Sequence, residues 1–189
     1  MADAPSRSRR TRAWRAAVLL SLAGAVGCAN RDFSQWKPYS PEGAKFTVTM
    51  PGIPVKEHQR ATNPRGNLET DIYTLDVPGG GFYTVTDAVM PPGLDLTSGL
   101  DEILDSSADR IVESASGRLL YKRNVSVAGY AGREVEVEIP SAAVEGGGRL
   151  RARVVLVGER LYELIAVTPD RRSADAEREY FLDSFTIRK

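Results

Sequence analysis

The sequence predicts an α+β domain in which a largely antiparallel β-sheet is flanked by one long and one short helix. Segments with strand-like alternation lie on both sides of a single segment with helical periodicity. Glycine- and proline-bearing turns separate the strand-like segments. A chain of 189 residues is of single-domain size. Strands followed by a helix and then more strands are typical of the α+β class.

The first half of the domain is predicted to form a meander of strands, because β-rich segments alternate with turn-forming residues. The four segments are 45–50, 55–61, 67–77 and 82–90. Between them stand Pro51-Gly52, Asn63-Pro64-Arg65-Gly66 and Pro78-Gly79-Gly80-Gly81. Such residues favour tight turns, so neighbouring strands are expected to pair antiparallel.

The clearest helical pattern runs from about residue 99 to residue 116. Its apolar residues recur three and four apart on one face and are Leu100, Ile103, Leu104, Ala108, Ile111, Val112 and Ala115. Ser98 followed by Asp101 resembles a capping box at the start of this helix. Gly117 suits the left-handed position just after its end.

Four more strands are predicted after the helix, at 118–127, 133–139, 150–157 and 161–167. A short helix, capped by Ser173, is expected to run through Tyr180. Residues 184–187 then form the last predicted strand. The domain is expected to extend from residue 44 to residue 189.

Residues 1–27 have the pattern of a secretory signal. Five arginines come first, and an apolar run of about 11 residues at 16–26 follows them. As a helix this run is roughly 16 Å long, which is too short for a hydrocarbon core of ~30 Å. The pattern therefore predicts export rather than a permanent transmembrane helix.

The end of this leader, Ala25-Val26-Gly27-Cys28, resembles the lipobox of bacterial lipoproteins. The resemblance implies cleavage before Cys28, a diacylglycerol on its thiol, and a domain anchored to a membrane in the cell envelope. Ala25 stands where the lipobox usually has leucine. The alternative is cleavage after Ala25, which fits the small-x-small rule and would release a protein with a free thiol.

Residues 28–43 are interpreted as a lipidated tether, since this polar segment has two prolines and no sustained periodicity. Phe33, Trp36 and Tyr39 recur at a spacing of three within it. We interpret them as packing the end of the tether on the domain, with contact to the bilayer interface as the alternative.

The charge of the chain argues against nucleic-acid binding. Its basic and acidic residues balance at 25 each, but five arginines and only one acid precede Cys28. The part from Cys28 onward is therefore slightly acidic. A nucleic-acid-binding domain needs a basic face that displaces counterions.

Four segments, in this order, resemble the landmarks of PsbP-like and DcrB-like domains. They are Lys45-Phe46-Thr47-Val48-Thr49-Met50-Pro51, Gly129-Tyr130-Ala131-Gly132-Arg133-Glu134, Arg160-Leu161-Tyr162-Glu163-Leu164 and Phe181-Leu182-Asp183-Ser184-Phe185. The resemblance spans about 44–188. It implies an antiparallel sheet flanked by helices, usually in a non-enzymatic accessory or envelope protein, and it assigns no catalytic or ligand-binding residues.

The inventory of reactive side chains predicts that the protein is not an enzyme and uses no metal or cofactor. His58 is the only histidine, and Lys56, Glu57, Gln59 and Arg60 surround it, so we interpret it as an exposed structural residue. With Cys28 acylated, no Cys/His dyad can form, and no nucleophile-elbow motif accompanies the histidine. The usual nitrogen and sulfur ligands of zinc are missing.

Two further features have plain structural interpretations. The acidic residues Asp95, Asp101, Glu102 and Asp105 lack calcium-loop spacing, so helix capping and a solvated helix face explain them. The glycine runs at 78–81 and 146–148 lead into no helix and lack the lysine of a phosphate loop. We interpret both as hairpin connections.

The leading functional hypothesis is a non-enzymatic binding or scaffold module for an envelope protein partner. The alternative is a small-ligand site in a cleft between sheet and helix, to which Tyr73, Tyr83, Tyr130 and Tyr162 contribute. Half-buried packing is the other interpretation of these tyrosines. An enzyme that uses only carboxylates, arginines and tyrosines also stays open.

The sequence also predicts the register of one hairpin. Glu134, Glu136 and Glu138 alternate with apolar residues, and so do Arg149, Arg151 and Arg153. A single register places all three glutamates opposite the three arginines, with Val137 opposite Leu150 and Val135 opposite Ala152 on the other face. A two-residue turn at Gly158-Glu159 then puts Glu163 opposite Val154 on the apolar face, a conflict that the sequence leaves unresolved.

Overall fold

The computed structural model describes residues 33–63, 66–78, 81–91, 93, 96, 98–141, 144, 146–171 and 174–188. The elements, in chain order, are β1 Lys37–Tyr39, β2 Phe46–Met50, β3 Val55–Asn63, β4 Gly66–Val77, β5 Gly81–Val89, α1 Leu100–Ser114, β6 Arg118–Val127, β7 Tyr130–Ile139, β8 Gly148–Val157, β9 Arg160–Pro169, α2 Ala174–Asp183 and β10 Thr186–Ile187. The predicted α+β class is confirmed.

Seven strands form one antiparallel sheet in the order β3-β4-β5-β9-β8-β7-β6. The hairpin meanders β3-β4-β5 and β6-β7-β8-β9 meet where β5 pairs with β9, and α1 connects them in sequence. A second sheet of three strands has the order β1-β2-β10. The strand pairs β4-β5, β7-β8 and β8-β9 are each consecutive in the chain and antiparallel, which confirms the interpretation of both glycine runs as hairpin connections.

Each face of the large sheet carries its own hydrophobic core. On one face α1 packs on β7 and β8, with Leu104, Ala108 and Ile111 buried against the strands. The small sheet and α2 cover the other face, where Phe46 and Phe181 belong to an aromatic-rich core. Because successive strand residues point to opposite faces, the sheet is buried from both sides over its centre.

The predicted helix at 99–116 is confirmed as α1, but its predicted caps are wrong. Gly99, rather than Ser98, is the N-cap residue, and it makes no side-chain cap hydrogen bond. Asp101 instead accepts a hydrogen bond from Arg133 Nη2 at 2.7 Å. Asp101 therefore contributes to the packing of α1 on the sheet.

At the end of α1 the left-handed residue is Ser116, with φ 49°, rather than Gly117. Gly117 is needed for another reason, since a Cβ at this position would lie 2.3 Å from the carbonyl oxygen of Glu138. The glycine lets β6 begin against the backbone of β7.

The segment interpreted as a tether contains part of the folded domain. Lys37 pairs with Met50 and Tyr39 with Val48, so β1 extends the small sheet seven residues before the expected start of the domain at residue 44. Phe33, Trp36 and Tyr39 contact aromatic residues of the domain, as predicted for the end of the tether. A strand of three residues with a central proline is too short to show the alternation of apolar and polar residues from which strands are predicted.

Several expectations concern residues outside the described part of the chain. These are the leader, Cys28, Asp95 and the capping residue Ser173. Within the described part, no helix combines the length and hydrophobicity that crossing a membrane requires.

Candidate functional site

A groove lies beside α1 on the face of the sheet that the helix only partly covers. Helix α1 packs on β7 and β8, and this leaves the neighbouring surface of β4, β5 and β9 open. The groove has a cavity volume of about 680 Å³. That volume falls within the range of ligand-binding clefts.

The floor of the groove is largely apolar and its wall is polar. Six apolar side chains contribute, namely Leu68, Ala88, Met90, Pro91, Ile103 and Leu161. The hydroxyls of Thr70 and Thr86 from the sheet, and of Ser98 and Ser106 from the helix side, add hydrogen-bonding groups. The surface therefore suits an occupant that has both apolar and polar groups.

The ionisable residues of the groove are Glu102, Arg110 and Glu163. Glu163 is 19% exposed, accepts a hydrogen bond from the Ser107 hydroxyl and lies 3.6 Å from Arg110 Nη2. Arg110 also donates to Ser107 at 3.1 Å. Two carboxylates face one guanidinium, so the groove carries a net negative charge.

This arrangement resolves the conflict over Glu163. The structure pairs it with Val154, as predicted, and its side chain lies on the face that α1 covers. Ser107 and Arg110 of α1 supply the polar partners that a carboxylate on an apolar face requires. The sequence could not reveal them, because nothing local relates α1 to β9.

The four tyrosines do not form the groove. Tyr73, Tyr83 and Tyr162 are buried in the aromatic core of the opposite face, and Tyr130 is exposed near the turn between β6 and β7. Burial raises the pKa of Tyr162 to about 12. The packing interpretation is therefore correct for the three buried tyrosines, and the cleft between sheet and helix has a different lining.

A second polar group of residues crosses three strands on the face opposite the groove. His58 pairs across the strands with Asp71, and Asp71 pairs with Asp87. His58 Nδ1 lies 2.8 Å from Asp71 Oδ1, and Lys56 Nζ lies 2.9 Å from Asp71 Oδ2. Arg160 donates to both oxygens of Asp87, at 2.8 and 2.7 Å.

The two aspartates of this row have opposite pKa shifts. Burial disfavours the ionised form of Asp71, but hydrogen bonds from His58 and Lys56 outweigh it and lower the pKa. Burial raises the pKa of Asp87, although Arg160 opposes the shift. Sequence reasoning missed this row, since Asp71 and Asp87 become neighbours only through the register of β4 and β5.

We expect His58→Ala to leave the physiological role intact and to lower the free energy of unfolding by less than about 1 kcal/mol, because the exposed His58 shares Asp71 with Lys56. Urea denaturation and complementation of a deletion strain are the measurements. A variant that accumulated normally but lost the phenotype would contradict a structural role and point to a catalytic one.

The predicted register between β7 and β8 is confirmed at every pair. Glu134 lies opposite Arg153, Glu136 opposite Arg151 and Glu138 opposite Arg149, with Val137 against Leu150 and Val135 against Ala152. Cross-strand pairs of opposite charge typically contribute up to about 1 kcal/mol each, and this value is too small for two of these three pairs. Glu134 is fully buried and Glu136 is 5% exposed, so their arginines neutralise buried charges.

Each of the two buried glutamates has several donors. Tyr121, Arg123 and Arg153 donate to Glu134, and Arg149 and Arg151 donate to Glu136. Burial opposes the ionisation of both carboxylates, but these hydrogen bonds outweigh it and lower both pKa values. Glu134 and Glu136 therefore remain charged inside the domain.

The acidic residues of α1 also act in packing. Arg133 donates to Asp105 at 3.0 Å and to Asp101, and Lys122 lies 3.2 Å from Asp105. Glu102 lines the groove. Asp101 and Asp105 thus fix α1 to β6 and β7. Because α1 forms one wall of the groove, these contacts also set the position of that wall.

Comparison with solved structures identifies the fold. The solution structure of cyanobacterial PsbP (CyanoP) from Synechocystis sp. PCC 6803 matches with a TM-score of 0.50 at 14% identity, over 85% of this chain and 96% of that chain. The fold is PsbP-like. The PsbP-like resemblance of the four sequence landmarks is therefore confirmed at the level of the fold.

A Pseudomonas aeruginosa protein of unknown function also matches this PsbP-like chain. It is 12% identical, covers 77% of this chain and 91% of its own, and has a TM-score of 0.36, at which the similarity carries no functional conclusion. No family model matches the chain, and no curated protein matches it.

Proposed function

We propose that this protein is an exported lipoprotein whose PsbP-like domain is a non-catalytic binding module for an envelope protein. The groove beside α1 is the proposed binding surface, because it combines an apolar floor, hydroxyl groups and net negative charge. The leader and the lipobox-like Ala25-Val26-Gly27-Cys28 support the anchor.

The partner that fits the groove is a protein segment with apolar side chains and a basic residue. Apolar side chains pack on Ala88, Met90 and Leu161, and the hydroxyls of Thr70 and Thr86 bond to the backbone of the segment. A basic side chain meets Glu102 and Glu163. A protein segment suits the half-open groove, since the rest of the partner covers the open side.

A small ligand is the second candidate, and the volume of about 680 Å³ favours it. Such a ligand must have nearly all of its surface buried to bind tightly. The two candidates differ in the mass of the bound molecule, which a crosslink from the groove can measure.

For the anchor, we expect the mature chain to begin at Cys28 with an acylated thiol and amine. Mass spectrometry of the N-terminal peptide, from protein purified out of membranes, measures this directly. Cys28→Ala is the matched variant, and we expect it to be absent from the membrane fraction. An unmodified chain that begins at Val26 would instead establish cleavage after Ala25 and refute the anchor.

For the groove, we expect Thr70→Trp to weaken partner binding by at least about tenfold, as blocking a central contact of an interface does. The indole of this variant would occupy space in the groove that the partner needs. The measurement is complementation of a deletion strain with the protein level controlled. Thr74→Trp, on the same face of β4 but outside the groove lining, is the control and should complement fully. If both variants complement equally, the groove is not the binding surface.

A further inference from the structure

Three aromatic rings lie together on the surface where the described chain begins. Phe33 stacks on Tyr180 of α2, with ring centroids 4.2 Å apart and an interplanar angle of 12°. Trp36 meets Phe33 and Tyr180 edge-on, at 5.6 and 5.5 Å. Tyr180 is 38% exposed, so the cluster presents ring surface to its surroundings.

An exposed aliphatic side chain lies at the same end of the small sheet. Lys37, next to Trp36, pairs with Met50 at the end of β2, and Ile53 follows three residues later. Ile53 is 85% exposed, more than any other large hydrophobic residue in the described ranges. The aromatic patch is defined here as Phe33, Trp36, Ile53 and Tyr180.

The position of the patch relates it to the anchor. Phe33 lies only five positions after Cys28, a reach of at most about 18 Å for a fully extended chain. A lipid on Cys28 therefore holds the patch close to the bilayer whatever path the linking residues follow.

We propose that the aromatic patch inserts into the headgroup region of the membrane and orients the domain on it. The proposal rests on the lipid anchor of the proposed function. Tryptophan and tyrosine favour this region, since their rings are apolar and carry a polar tip. A lipid chain and an apolar surface together bind a membrane more firmly than either does alone.

The charges beside the patch indicate a neutral lipid surface. The exposed Lys37 adjoins Trp36, and the exposed Glu179 adjoins Tyr180, so neither sign dominates. Insertion is therefore expected to occur in zwitterionic bilayers and to depend little on salt.

This orientation leaves the groove accessible. Trp36 packs against the aromatic core on one face of the large sheet, whereas Ala88, Ile103 and Leu161 of the groove belong to the hydrophobic cluster on the other face. A domain that rests on its aromatic patch thus presents the groove away from the patch.

Fluorescence quenching can test the insertion, because Trp36 is the only tryptophan after Cys28; the other is Trp14 in the leader. The probe is the chain 28–189 with a maleimide phospholipid coupled to Cys28, its only thiol, in phosphatidylcholine vesicles. All residues of both hydrophobic clusters lie after Cys28, so this chain retains both clusters. Nitroxide at the headgroup of a fraction of the lipids supplies the quencher, and emission is normalised to nitroxide-free vesicles.

We expect strong quenching of Trp36 in the anchored wild-type chain. The variant I53D/Y180D should lower the ratio of membrane-inserted to uninserted domain by about tenfold or more, since it removes apolar area and adds two carboxylates. Its quenching should fall to that of an uninserted domain. Y130D, at the exposed tyrosine near the turn between β6 and β7, is the control and should quench like the wild type.

Weak quenching in the anchored wild-type chain, or equal quenching in the wild type and I53D/Y180D, would contradict the insertion of the aromatic patch into the membrane. Since the lipid is attached chemically, neither result depends on whether cells acylate Cys28. Mass spectrometry of the cellular protein decides that question separately, so failure of the anchor and failure of the patch can be told apart.

Discussion

Replacing Glu136 with arginine should lower the free energy of unfolding by about 3–5 kcal/mol, as breaking a buried ion pair does. Glu136 is 5% exposed and accepts hydrogen bonds from Arg149 and Arg151. An arginine at position 136 would leave both guanidinium groups without their carboxylate and add a third cation beside them. Urea denaturation at neutral pH measures the loss.

Two further variants control this prediction. Adding Arg151→Glu restores an opposite-charge pair at the same cross-strand position and should recover much of the loss. Glu138→Arg makes the same charge change at an exposed ion pair, that of Glu138 with Arg118, and should cost no more than about 1 kcal/mol. If the double variant loses as much free energy of unfolding as the two single variants lose together, residues 136 and 151 do not interact as described.

Replacing Arg160 with methionine should lower the free energy of unfolding by about 3 kcal/mol at pH 7, because it leaves Asp87 charged and buried without a counterion. Arg160 is the donor to both oxygens of Asp87. Adding Asp87→Leu removes the unpaired charge and should restore most of the stability.

The loss should depend on pH in a specific direction. Burial already raises the pKa of Asp87, and removing Arg160 raises it further. A carboxyl whose pKa is higher in the folded than in the unfolded state gains folding stability as the pH falls through the folded value. Urea denaturation of Arg160→Met should therefore show a smaller deficit, relative to the wild type, at pH 5 than at pH 7. A deficit equal at both values would assign the loss to packing rather than to charge.

Much of the sheet could be predicted because the information lies within each strand. Period-two alternation located the strands, and three glutamates facing three arginines admitted only one register for β7 and β8. The 3.6-residue period located α1 in the same way. Strand β1 escaped prediction, since its three residues gain their structure from pairing with β2.

A cleft between sheet and helix was among the alternatives, but the residues that line it could not be predicted, because they depend on where α1 crosses the sheet. Residues such as Thr70 and Ser106 have no distinctive pattern, and they become a groove only because α1 stops short of β4 and β5. The burial of Glu134 also depends on tertiary packing rather than on alternation. Charge pattern alone cannot distinguish a buried ion pair from an exposed one.

Site-specific photocrosslinking from the groove tests the proposed function most directly. A photoreactive phenylalanine analogue at Ser106, which lines the groove, is compared in living cells with the same analogue at Glu113, an exposed position of α1 outside the groove lining. We predict a defined adduct of protein size from position 106 that is absent from position 113 and is lost when Thr70→Trp is added. An adduct of small-molecule mass would favour the ligand candidate. Equal labelling from both positions, or an adduct that persists in the presence of Thr70→Trp, would contradict the groove as the binding surface.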